Sequence, residues 1–148
     1  MNIIKGKGEI EIINLGIEPG EMLLESIIKA IEEYDIQNGI IVSGIGTFKT
    51  CNMHYINHTD FPPSDSMYHL DKPLELLSVS GIIANKIPHL HIVVSCGKDE
   101  VYGGHLEAES EVAYLAEIAI LKTNFVPMER HWDDERKINL LGPPKLNK

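Results

Sequence analysis

The stretch Pro88-His89-Leu90-His91-Ile92-Val93-Val94-Ser95 constrains the fold more than any other part of the chain. It is rich in β-branched residues and alternates in polarity, as a half-buried strand does, and Pro88 stands at its start, where a missing N–H does least harm. Strand side chains point to alternate faces, with same-face neighbours about 7 Å apart. His89 and His91 therefore share one face, and Leu90, Ile92 and Val94 the other. Lys98-Asp99-Glu100 reads as a turn and Val101-Tyr102 as a returning strand, which puts His105 of Gly103-Gly104-His105 beside the pair. Three imidazoles converging with no basic partner nearby is how proteins hold zinc with an open fourth position. The pattern predicts a metal site at His89, His91 and His105. The alternative is three histidines whose ring nitrogens are satisfied by backbone and water.

The rest of the chain reads as more strands around one helix. Glu9 to Leu15 alternates charge with isoleucine, and Pro19-Gly20 turns the chain. From Glu21 to about Tyr34, Leu24, Ile27, Ile28, Ile31 and Tyr34 recur at helical spacing, and Glu21 and Glu25 suit the positive end of the helix dipole. Ile40 to Ile45 predicts a short strand, Gly44-Ile45-Gly46 a corner, and Phe48 to Ile56 a second strand. The G-x-G is no dinucleotide fingerprint, because Lys49 stands where a third glycine belongs and no helical pattern follows. Asn57 to Ser66 reads as a loop, and His54, His58 and His69 as surface or loop residues.

Leu74 to Ala84 is apolar enough for a strand with two buried faces. Glu75 near its start lies either in solvent at a sheet edge or buried beside a group that needs a carboxylate. Glu111 to Thr123 suits a strand, since period two leaves only Glu117 misplaced, although its Ala, Leu and Glu content would also suit a helix. A last short strand is expected near Lys137 to Leu141. Strands that follow one another without helical crossovers predict a mostly antiparallel sheet, hence a single α+β domain with one main helix.

Charge bears on function. The 148 residues carry 13 basic and 22 acidic groups, a net charge of −9, and a DNA-binding surface draws most of its affinity from cations. The basic residues Arg130, Arg136, Lys137, Lys145 and Lys148 are interleaved with Glu129, Asp133, Asp134 and Glu135. Direct DNA binding is thus not expected from charge. No apolar run approaches the roughly 20 residues of a membrane span, and residues 1–7 lack the apolar core of a secretory signal. Cys51 and Cys96 make neither a disulfide framework nor a C-x-x-C motif, so a reducing cytoplasm is the expected location.

Several motifs together carry a family resemblance. Pro19-Gly20-Glu21, Ser43-Gly44-Ile45-Gly46, Pro73-Leu74-Glu75-Leu76-Leu77-Ser78-Val79-Ser80-Gly81, His89-Leu90-His91 and Val101-Tyr102-Gly103-Gly104-His105-Leu106 fall in the order found in the plants-and-prokaryotes-conserved (PPC) domain family. The chain resembles a stand-alone prokaryotic member, with a core at about residues 9–123 and a C-terminal extension at 124–148 of a single 1–148 domain. The resemblance implies an antiparallel α+β fold and a homotrimer. Plant members pair the domain with an AT-hook, which is why stand-alone members are often labelled DNA-binding. No such Arg-Gly-Arg-Pro segment occurs here, and Lys72-Pro73 stands where the plant motif carries Gly-Arg. The fold is also similar to that of acetolactate decarboxylase, which holds zinc on three histidines with an H-x-H pair among them.

Three functions follow as expectations. The first is a trimeric zinc-binding protein acting on a small-molecule ligand, with Glu75 as acid or base and Arg130 as anion binder. The second is a DNA-associated or regulatory module without catalysis. The third is an interaction scaffold whose histidines are structural.

Overall fold

A computed structural model describes residues 1–145; Lys148, counted above with the basic residues, lies outside them. Among the described residues the chain forms eight strands and one helix: β1 (Glu11–Ile17), α1 (Leu23–Glu33), β2 (Asn38–Ile56), β3 (Asp65–Ala84), β4 (Ile87–Cys96), β5 (Glu100–Leu106), β6 (Val112–Lys122), β7 (Glu129–Asp133) and β8 (Ile138–Gly142). The first six strands form one sheet in the order β1-β6-β2-β3-β4-β5, and β7 and β8 form a separate hairpin. Every pairing is antiparallel. The α+β class and the mostly antiparallel sheet expected from the sequence are present.

The glycine corner differs from expectation. β2 does not break at Gly44-Ile45-Gly46 but runs on for 19 residues, bending at register shifts against β6 between Ile41 and Ser43 and between Gly46 and Phe48. Such bulges bend a strand without taking it out of the ladder. A β-carbon on Gly46 would lie 2.4 Å from the Leu115 carbonyl oxygen, so only glycine lets β6 come this close. β3 likewise begins at Asp65, nine residues before the expected start, because its first half pairs with the far end of β2.

The helix starts two residues late because the backbone before it is already engaged. Gly20 and Leu23 donate to the carbonyls of Val112 and Ser110, and the Glu21 carbonyl accepts from Val112. Its buried face is Leu23, Ile27, Ala30 and Ile31, one notch round from the expected stripe, so Ile28 and Tyr34 are exposed. Leu23, Ile27 and Ile31 join one core with Ile13 and Ile17 of β1, Ile41 of β2, and Ile118 and Ile120 of β6. Full burial of a Leu or Ile side chain is worth about 1.5–3 kcal/mol. Leu90, Ile92 and Val94 enter the same core, which fixes the register of β4 and turns His89 and His91 outward.

Position in the sheet decides the site. β2, β3, β4 and β5 follow one another, and β5 then meets the end of β2 again through Met53↔Leu106 and His54↔His105. This closure places the C-terminal part of β2 beside the histidines of β4 and β5. Gly104 permits it: a β-carbon there would lie 2.6 Å from the His54 carbonyl oxygen.

Candidate metal centre

His91 pairs with His105 across β4 and β5, and His89 follows on the same face of β4. The three ring centroids form a nearly equilateral triangle: 5.3 Å between His89 and His91, 5.0 Å between His89 and His105, and 5.5 Å between His91 and His105. The structure thus brings together the three histidines singled out in the sequence.

It also adds two residues that the sequence reading did not include. The His54 ring stacks on His105 at 4.4 Å. Glu107 takes one hydrogen bond from each, its Oε1 lying 2.6 Å from His54 Nδ1 and 2.9 Å from His105 Nδ1. His54, His105 and Glu107 form a group whose donor atoms are close enough to one another to hold an ion. Glu107 was within reach of strand parity, because it stands two residues after His105 and so continues its face. Nothing local signals His54, which is brought in by the β2–β5 closure some fifty residues away in sequence.

The electrostatics suit metal binding. Burial, first of all, holds the His89 and His91 imidazoles below their usual value, and the neighbouring His105 and His54 act in the same direction. Arg130 adds to the effect on His89. Both rings are therefore neutral at neutral pH, with a lone pair available to a cation.

Arg130 reaches this site from β7. Its guanidinium donates to the carbonyls of Ile87 at 3.0 Å and Ile82 at 3.1 Å, and Ile82 is the register partner of His89. Glu75 is not brought to the histidines. It pairs with Thr47 and Ser95, and Ser95 lies four residues along β4 from His91, or about 13 Å at strand rise. There Glu75 is exposed and lines a separate cleft of about 930 Å³ with Lys49, Lys72 and Tyr114. Of the other histidines, His58 bonds Ser64 and His69 bonds Asn52, both in exposed settings.

A model of the Plants and Prokaryotes Conserved (PCC) domain matches residues 5–124. This chain belongs to that family, the one abbreviated PPC above. Among solved structures, it is similar to a metal-containing protein from Archaeoglobus fulgidus, with 28% identity, a TM-score of 0.77 and 95% and 98% of the two chains covered. It is similar also to a plant- and prokaryote-conserved protein from Pyrococcus horikoshii, with 25% identity, a TM-score of 0.74 and 99% of each chain covered. Among curated proteins, 113 residues are 25% identical to the bifunctional protein GlmU of Synechococcus sp. strain JA-3-3Ab. The match takes in 76% of this chain but spans only 17% of that much longer relative.

Proposed function

We propose that this PCC-domain protein binds a zinc ion through His89, His91 and His105 and presents it to a small anionic ligand. The carrying observation is the triangle of ring centroids. A nitrogen about 2.0–2.1 Å from zinc puts its ring centroid roughly 3.2 Å away, so two such rings at a tetrahedral angle lie about 5.2 Å apart. The observed centroid separations, 5.0 to 5.5 Å, are compatible with that spacing, while the donor atoms that already lie within 4.8 Å of one another are those of His54, His105 and Glu107. Neutral His89 and His91 support the reading, as does the likeness to a protein described as metal-containing.

Zinc bound by three histidines would supply a Lewis acid and a water acidic near pH 7. The chain's own part is to orient the donors and to place Arg130 alongside. Two of the five guanidinium N–H donors go to the Ile82 and Ile87 carbonyls, which fixes the cation beside His89. Glu75, farther along the sheet in its own cleft, has no place in this reading.

The same reading includes a homotrimer in the cytoplasm. Ile40, Val42, Ile45, Leu77, Val93 and Leu115 are exposed on β2, β3, β4 and β6, and burying such side chains against other copies would favour assembly. Among the described residues no helix is long and apolar enough to cross a membrane. The net charge of −9 supports a protein that does not hold DNA directly.

The test is elemental analysis of tag-free protein beside a His89→Ala/His91→Ala variant. About one zinc per chain, lost in the variant, is the expected result. Equal metal in both, or none in either, removes the proposal.

A further inference from the structure

Glu107 is tied into the site more firmly than a surface carboxylate needs to be. Its backbone N–H donates to the Asn52 carbonyl at 3.0 Å, and its carbonyl accepts from the hydroxyl of the fully buried Ser110 at 3.2 Å. The loop beyond is pinned as well, with the Asn52 side-chain amide donating to the carbonyls of Ala108 and Glu109. The Glu107 backbone is thus held in place by β2 and by the 107–110 loop. Oε1 then meets two imidazole nitrogens at once, Nδ1 of His54 and Nδ1 of His105.

A carboxylate offers acceptors only, so both of those nitrogens carry the proton. The hydrogen bond on one ring nitrogen decides which nitrogen is left with the lone pair. In His54 and His105 that atom is Nε2. Metal-bound histidines are commonly oriented by an outer carboxylate in this way. Here a single carboxylate sets two rings that stack on each other.

We propose that Glu107 is a positioning residue which fixes His54 and His105 as Nδ1–H tautomers, so that the site meets its cation through Nε2 of His105 with the Nε2 of His54 alongside. The proposal rests on the metal reading of His105 but makes a separate statement about tautomers, true of the metal-free protein too. It assigns Glu107 to the shell outside the ligands. The competing arrangement uses Glu107 Oε1 and the two Nδ1 atoms as the ligands themselves, with the protons moved to Nε2.

Long-range 1H–15N correlation NMR separates the two, because protonated, lone-pair and metal-bound ring nitrogens differ widely in shift. In metal-free wild type, His54 and His105 are expected as Nδ1–H, and Glu107→Ala is expected to move both toward the Nε2–H form that free histidine favours. On titration with zinc, His105 is expected to keep its Nδ1 proton and coordinate through Nε2. Glu107→Gln should keep the stoichiometry and weaken zinc binding about 10- to 100-fold, with circular dichroism confirming that the variant is folded. His105 or His54 as Nε2–H in the metal-free wild type, zinc on Nδ1 of His105, or unchanged affinity in folded Glu107→Gln would each overturn the proposal. If the wild type takes up no zinc, the functional reading fails, and the metal-free tautomers still decide this one.

Discussion

β3, β4 and β5 carry polar groups at both ends, and the two ends solve opposite problems. Near the β2 closure, His54, His89, His91 and His105 cluster ring against ring, and a single carboxylate, Glu107, bonds two of them. Near the β4–β5 turn, Lys72 contacts Glu100 and reaches Tyr102 Oη at 2.7 Å, while the Tyr102 hydroxyl donates to Glu100 at 2.6 Å. The second cluster is internally balanced: cation, anion and bridging hydroxyl satisfy one another in an exposed setting, and such pairs contribute little to stability. The first is unbalanced. Two rings share one carboxylate, and partial desolvation lowers the proton affinity of His89 and His91. Donors that outnumber the one carboxylate among them leave lone pairs for the proposed cation, whereas the balanced cluster is already neutralised from within.

The closure of the strands is where this contrast is most easily broken. Gly104→Ala puts a methyl 2.6 Å from the His54 carbonyl, and overpacking of that kind costs about 1–3 kcal/mol. Urea denaturation should show the loss. Because the clash pushes β5 off β2, zinc affinity should fall with it, although no donor has been removed. A variant of full stability and affinity would mean that the closure is not what assembles the site.

A smaller effect separates the ends by pH. The folded-state values of His89 and His91 lie below the imidazole value of 6.5. The unfolded chain therefore binds more protons than the folded one just below that pH. By linkage, the stability these rings contribute is fully present above about pH 6.5 and is lost as the pH falls toward their folded values. Thermal melts of metal-free protein between about pH 7.5 and 5 should show a steeper acid loss in wild type than in His89→Ala/His91→Ala. Parallel curves would contradict the assignment.

The least effect is expected at the balanced end. Lys72→Ala should leave zinc stoichiometry untouched and move the melting temperature little, with any shift shrinking in high salt. Glu75→Gln should likewise leave zinc uptake unchanged, as its distance from the histidines requires. A loss of metal in either variant would join the two ends into one site.

What could be read from the sequence follows the range of the interactions. The β4 face assignment needed only period-two alternation, because Leu90, Ile92 and Val94 fix it locally. His105 needed one hairpin, and the β4–β5 turn is short enough to infer. The helix was legible in position but not in rotation, because the pairing of residues 20–23 with 110–112 sets where its first turn begins. His54 needed the closure of four strands, which depends on bulges in β2 and on a glycine in β5. Neither leaves a mark near His54 itself. β7 was missed for the same reason: it is a strand only because β8 pairs with it. The Asp133 carboxylate shapes their connection by accepting from the backbone N–H groups of Glu135 and Arg136.

The β7–β8 hairpin lies past the residues that match the family, which end at 124, yet Arg130 ties it to the backbone on either side of the β3–β4 turn. The shared domain is therefore hydrogen-bonded to the segment that follows it in this chain. Cutting it out at the family boundary would withdraw the donors of the Ile82 and Ile87 carbonyls together with the Arg130 cation beside His89. A graft of residues 5–124 into another protein would have to import a replacement for that arginine, or carry His89 without the cation that helps to keep its ring neutral.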